Sequence, residues 1–197
     1  IVVLWFAGLN HKYFFYSCLL SIISLPIIIS FLKPYQKLRV LTFLNPDRDP
    51  LGAGYQIIQS KIAVGSGGIT GKGFLKGTQS YLEFLPEKHT DFIFSMLGEE
   101  FGFLGTISVI GLIIVITYLT YRILNNPKID NFKRILGYGV ISNFFFAALI
   151  NMSMVIGILP VVGLPLPLVS YGGSSMLTYF IGFGLILSLK ISLDSKY

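Results

Sequence analysis

Apolar residues run in long blocks along this chain, and the polar ones gather between them. Tyr13 to Leu32, Phe92 to about Tyr121, Ile135 to Ile158 and Leu168 to Leu189 each supply the roughly 20 residues that one helical crossing of a bilayer needs. The opening residues IVVLWFAG share this character but are too few to cross. With no basic segment before them they do not read as a signal peptide. They are expected to be the tail of a preceding membrane helix in a longer protein. The pattern predicts an all-α, polytopic integral membrane bundle: a helix tail over 1–8, spans over 13–32, 92–121, 135–158 and 168–189, a large loop over 33–91, connectors over 122–134 and 159–167, and a tail over 190–197. Composition strengthens the prediction, since 53% of the 197 residues are hydrophobic and 12% charged, against about 25% charged in soluble domains. Cys18 is the single cysteine, so no intrachain disulfide can form.

Charge orients the bundle. If each block crosses once, 9–12, 122–134 and 190–197 share one side and carry Lys12, Arg122, Lys128, Lys133, Arg134, Lys190 and Lys196, whereas the short segment 159–167 opposite carries no charge. The first side is therefore cytoplasmic, and the 33–91 loop is extracytoplasmic. That loop is too long to be a mere connector. Its basic residues (Lys33, Lys37, Arg39, Arg48, Lys61, Lys72, Lys76, Lys88) outnumber its acids (Asp47, Asp49, Glu83, Glu87, Asp91), which suits either a phosphate or diphosphate group at the membrane surface or bulk anionic lipid.

Several motifs are candidates for chemistry. GSGGITGKGFLKG resembles a phosphate-binding loop, but Ser66 stands where a Walker motif needs Gly and Gly73 where it needs Ser or Thr. A glycine-rich turn remains, either a sharp bend or a close approach to a ligand, with Lys72 and Lys76 as its functional side chains. Before it, Gly54 to Val64 has Ile57, Ile58 and Ile62 at helical offsets, predicting a short amphipathic helix in the interface with Gln56, Gln59 and Lys61 on its polar side. In GILPVVGLPLPLVSYGGSS the prolines at 160, 165 and 167 forbid regular helix. The segment is expected to re-enter the protein at membrane depth before a helix whose start is rich in Gly and Ser.

Asp91 stands at the threshold of the second long apolar block. On a helix starting there, Ser95, Gly98, Gly102 and, less closely, Gly105 share its face, and Gly98 with Gly102 makes a GxxxG pair suited to close helix approach. Asp91 is either the helix cap or a functional carboxylate. Glu99 and Glu100, inside the apolar run, each need a partner, expected from other helices or from Asn143 and Asn151. They are read as polar anchors of the bundle. His89, with no second His or Cys nearby, suits hydrogen bonding near Asp91 and not a zinc site.

Taken together, NPDRDPLGAGYQIIQSKIAVGSGG, GKGFLKGTQSYLEFLPEKHTDFIFSMLGEEFGFLG and GILPVVGLPLPLVSYGGSS closely resemble the C-terminal half of the SEDS proteins (shape, elongation, division and sporulation), which are bacterial peptidoglycan polymerases. The match runs from about Tyr35 to the C-terminus and is nearer the elongation branch than the division branch. The resemblance implies a fragment of a ten-span fold, from the end of the sixth span through the tenth. It implies a glycosyltransferase that joins lipid II into β-1,4 glycan at the outer face of the bacterial cytoplasmic membrane. Asp91 occupies the place of the family's essential aspartate, expected to deprotonate or orient the acceptor 4-hydroxyl as undecaprenyl diphosphate leaves. Lys72, Lys76, Glu87, Lys88, His89, Ser170, Ser174 and Ser175 are the expected substrate-binding residues, and Glu99, Glu100 and Asn151 the structural or cavity-lining ones. A divalent cation, Mg or Mn, is the expected assistant, with its ligands unassigned and no nucleotide involved. The expected partners are lipid II, the growing glycan strand, a class B penicillin-binding protein transpeptidase and other elongation-complex membrane proteins, with no nucleic acid. A flippase for the same lipid is the rival from another class.

Overall fold

The computed structural model describes residues 2–48, 52–81 and 89–194, and every regular element among them is a helix. In chain order these are α1 (Val2–Phe6), α2 (His11–Phe31), α3 (Pro34–Leu44), α4 (Ala53–Ser66), α5 (Thr78–Tyr81), α6 (Ile93–Leu124), α7 (Asn131–Val155) and α8 (Gly173–Asp194), with a 3-10 turn at Pro46–Arg48. Among the described residues, Ile93–Leu124, Asn131–Val155 and Gly173–Ser192 are long and apolar enough to cross a membrane. The chain is thus part of a multi-pass helical membrane protein.

Local chemistry sets the ends of these elements. The Asn10 side chain accepts the Lys12 N–H at the start of α2, and Pro34 at the head of α3 prevents α2 from running on. The last helix starts at Gly173 and not at Leu168, because Pro165 and Pro167 cannot join a helix and Leu168 turns back at φ 63°. α7 starts at Asn131, ahead of the expected 135, since Asn131, Phe132, Lys133 and Arg134 form its first turn.

The core lies where α4, α6, α7 and the connector before α8 converge. Phe92, Phe144, Met154, Val155, Leu166 and Ala63 are buried there. Phe144 meets Tyr179 and Phe183 of α8 edge-on at 5.6 and 5.2 Å, the arrangement that ring quadrupoles favour. A second cluster at the other end of α6 joins Leu124, Tyr138, Ile141 and Ile186, and Phe6 of α1 stacks on Tyr138 at 4.3 Å.

The 33–91 loop holds three of these helices. α4 covers the expected amphipathic segment, and it packs against α6. Its contact stripe is Ile57, Ser60, Ala63 and Gly67, all buried, while Ile62 is exposed. Small residues let the backbones approach: a Cβ on Gly98 would stand 3.4 Å from the Val64 Cα.

α6 is interrupted at Gly102 (φ 65°, ψ −159°). In an unbroken helix the Phe103 and Leu104 N–H groups would bond to the Glu99 and Glu100 carbonyls. Here the glycine-rich loop passes between them. Phe103 N–H donates to Gly68 O (2.9 Å) and Leu104 N–H to Ile69 O (3.1 Å), while Lys72 N–H donates to Glu99 O and Gly73 N–H to Glu100 O, both at 3.0 Å. Each of the four groups orphaned by the break is repaired by residues 68–73, as buried backbone requires. This corrects two expectations. Gly102 does not extend a small-residue face with Gly98, and Gly105 cannot share the phase of Asp91, because the helix is reset between them.

Candidate functional site

His89, Thr90 and Asp91 form a turn ahead of α6. The cap of α6 is Phe92, which offers no side-chain cap bond, so Asp91 lies one residue outside the capping position. The turn is fastened by its carbonyls. His89 O accepts the Tyr171 N–H at 2.9 Å, Thr90 O accepts the Ser170 hydroxyl at 2.6 Å, and Asp91 O accepts an Asn151 Nδ2 hydrogen at 2.8 Å. Asn151 gives its second Nδ2 hydrogen to Leu164 O, at 2.6 Å. The Ser170 hydroxyl also accepts the Leu166 N–H at 2.7 Å.

The Asp91 carboxylate rests against the 159–167 connector. Gly163 takes φ 78°, and a Cβ built there would be 3.4 Å from Asp91 Oδ2. Beside it, Arg39 of α3 donates from Nη1 to the carbonyls of Val161 and Val162 at 3.3 and 3.4 Å. The turn, the connector and a guanidinium are therefore neighbours, with Asp91 half-buried and His89 exposed. Below it, between α7 and α8, a cavity of about 330 Å³ is walled by Phe146, Ile150, Leu164, Pro165 and Tyr179, with Ser175 and Thr178 at its side.

The other expected site residues divide. Ser170 is 2% exposed and its hydroxyl is spent on backbone. Ser174 is exposed, and the Ser175 hydroxyl bonds to Gly172 O. Lys76 is exposed and follows the loop turn. Lys72 instead pairs with Glu99, its Nζ 2.8 Å from Oε1. Glu99, fully buried, also accepts the Thr78 hydroxyl at 3.0 Å and the Gln79 N–H at 3.0 Å. The expected partners of Glu99, Asn143 and Asn151, are not the ones it takes. Its cation comes from the glycine-rich loop, and its carboxylate ties the first turn of α5 to α6. Glu100 is 4% exposed and its carbonyl holds Gly73. Glu87 and Lys88 lie outside the described residues.

Two residues of this site went unremarked in the sequence. Arg39 was one of eight loop cations, and Gly163 one glycine among prolines. Neither carries a local signal: Arg39 reaches carbonyls of a connector more than a hundred positions away, and Gly163 meets Asp91 from within that connector.

Among the described residues no group of three or more His, Cys, Asp or Glu is placed to hold a metal. Asp91 offers one carboxylate. That is a donor set Mg²⁺ accepts when substrate phosphates and water supply the rest.

The model of the FtsW, RodA and SpoVE family of cell cycle proteins matches residues 1–195. The peptidoglycan glycosyltransferase MrdB of Escherichia coli (strain K12) is 47% identical over 95% of this chain and 50% of its own length. The peptidoglycan glycosyltransferase RodA of Treponema pallidum (strain Nichols) is 48% identical over 81% of the chain and 36% of its own. The probable peptidoglycan glycosyltransferase FtsW of Trichlorobacter lovleyi is 40% identical over 98% of the chain and 50% of its own. A solved chain from a peptidoglycan synthase complex that coordinates polymerization and crosslinking is 35% identical, with a TM-score of 0.70 over 94% of this chain and 51% of that one. The chain spans about half the length of the curated relatives it matches.

Proposed function

Because the chain belongs to the FtsW, RodA and SpoVE family of cell cycle proteins, we propose that it supplies the catalytic carboxylate of a peptidoglycan glycosyltransferase that joins lipid II into β-1,4 glycan during cell elongation. The likeness to MrdB over 95% of the chain carries this reading. The elongation branch is favoured by the relatives named MrdB or RodA at 47–48% identity, against 40% for the FtsW relative quoted. The solved relative comes from a synthase complex, which favours a class B penicillin-binding protein as transpeptidase partner.

Asp91 acts as general base, or orients the acceptor 4-hydroxyl, so that the oxygen attacks the anomeric carbon and undecaprenyl diphosphate leaves. The proton goes to the carboxylate and the bonding pair to the diphosphate. Arg39, held beside Gly163, supplies positive charge on the leaving-group side. A divalent cation held by Asp91 would neutralise diphosphate charge when bound. The site works at the outer face of the bacterial cytoplasmic membrane, where a sugar already activated on a lipid can be used. The rival flippase drew its support from acids within the apolar run, and Glu99 is engaged by Lys72 and Thr78.

The test uses the full-length protein with its transpeptidase, reconstituted and supplied with lipid II. Asp91→Asn should cut glycan synthesis by at least about 100-fold, the low end of what a general base contributes. Equal polymer from both proteins would remove Asp91 from the mechanism. Lipid II translocation without polymer would replace the whole reading with transport.

A further inference from the structure

We propose that Asn151 and Ser170 are positioning residues for Asp91, fastening the His89–Asp91 turn and the Leu164–Tyr171 segment into one rigid unit. This rests on the assignment of Asp91 as the catalytic carboxylate and goes beyond it. Three consecutive carbonyls, at 89, 90 and 91, are each held by a donor from another part of the chain: Tyr171 N–H, the Ser170 hydroxyl and Asn151 Nδ2. Three successive anchors leave a turn little freedom to rotate its peptide planes, and the direction of the Asp91 side chain follows from those planes.

The chemistry of the two side chains fits this task. A serine hydroxyl can donate and accept at once, and Ser170 does both, giving its hydrogen to Thr90 and taking one from Leu166. It joins the turn to the connector through one atom. Asn151 has two hydrogens on one nitrogen, and it divides them between Asp91 O and Leu164 O. Because both neighbours are acceptors, the amide orientation is fixed: a flipped amide would set oxygen against oxygen. Its Oδ1 is buried and has no hydrogen-bond partner among the described residues. A residue kept only to fill space would not carry an unspent buried acceptor, so asparagine is retained here for its pair of donors. Both side chains are closed off, at 0% and 2% exposure, and so act on the reaction through Asp91.

The full-length enzyme with its transpeptidase tests this through Ser170→Ala, Asn151→Ala, the double variant and Asp91→Asn. Turnover on lipid II is measured per folded molecule, together with amide hydrogen exchange over 89–92 and at Tyr171. Each single variant should lower kcat about 10- to 100-fold with KM within about twofold, because a misplaced group costs rate more than binding. The double variant should fall well short of the product of the two, since both hold one turn. Exchange at Tyr171 should quicken in Ser170→Ala, and Ser170→Cys, which keeps a weak donor, should recover part of the rate. Wild-type kcat in the folded single variants, with Asp91→Asn inactive, overturns the positioning role and leaves the carboxylate assignment standing. An active Asp91→Asn overturns that assignment instead. Ser170→Ala deletes one oxygen and leaves the apolar packing, so exchange at Tyr171 decides the question even where Asn151→Ala does not fold. Unchanged exchange overturns the proposal.

Discussion

Gly102→Ala is expected to yield little or no folded protein. The residue sits at φ 65°, ψ −159°, a region that only glycine occupies without strain, and a side chain there costs about 1–3 kcal/mol before any contact is counted. The contacts are worse than the strain. A Cβ would lie 2.3 Å from Gly71 N and 2.7 Å from both the carbonyl carbon and the oxygen of Ile69. These are backbone atoms, and relief would require residues 68–73 to withdraw from the helix. Withdrawal orphans some of the Phe103, Leu104, Glu99 and Glu100 groups, at about 1–3 kcal/mol for each one left buried. With two such groups the loss is roughly 3–9 kcal/mol, comparable with the whole stability of a typical domain. Gly111 is the control, on the same helix with nothing within 4 Å of an added Cβ, so Gly111→Ala should be neutral or slightly stabilising. Yield and thermal midpoint of the purified full-length protein report both. A Gly102→Ala protein that melts with wild type would mean that the loop does not thread α6 as described.

Lys72→Met should be the next most damaging change. It leaves the fully buried Glu99 carboxylate without the ammonium 2.8 Å away; stripping one partner from a buried pair typically costs about 3–5 kcal/mol, and the loss here is smaller because Lys72 is 28% exposed. Replacing both, as Lys72→Met with Glu99→Met, should restore most of the stability, because the penalty lies in the unpaired charge and not in the absence of the pair. The thermal midpoints of the two singles and the double form the measurement. Additive losses would show that Lys72 and Glu99 act separately. If Lys72 were instead a phosphate ligand with no structural task, Lys72→Met would melt with wild type and bind lipid II more weakly.

These two residues also show where sequence reading reaches its limit. The long helices were legible because apolar runs of the right length have few other uses, and the break before α8 was legible in its prolines. The close approach at Gly98 was legible in its spacing. The interruption at Gly102 was not, since a GxxxG pair looks the same whether its second glycine continues a helix or ends one. The deciding information is the other glycine run, thirty positions earlier, and no local pattern records that 68–73 complements 99–104. Glu99 illustrates the same point: its burial demanded a partner, but the choice of Lys72 follows from the threaded loop. At Asp91 the expectation of chemistry came from family resemblance. Its restraint by Asn151 and Ser170 was not, because both act through backbone carbonyls that every sequence has.

The interruption also sets how much of α6 can lie within a membrane. From Phe103 to Leu124 the unbroken part of α6 measures about 33 Å at 1.5 Å per residue, close to the roughly 30 Å of bilayer hydrocarbon. Tyr118, Tyr121 and Arg122 occupy one end of that stretch, as aromatic and basic residues do at a membrane boundary. Gly102 then falls at the opposite boundary, with the Glu99–Lys72 pair and the Asp91 turn ahead of it in the chain. The break thus separates two tasks that one apolar run had concealed: 103–124 has the length of a crossing, while 93–101 carries the buried Glu99 and packs on α4.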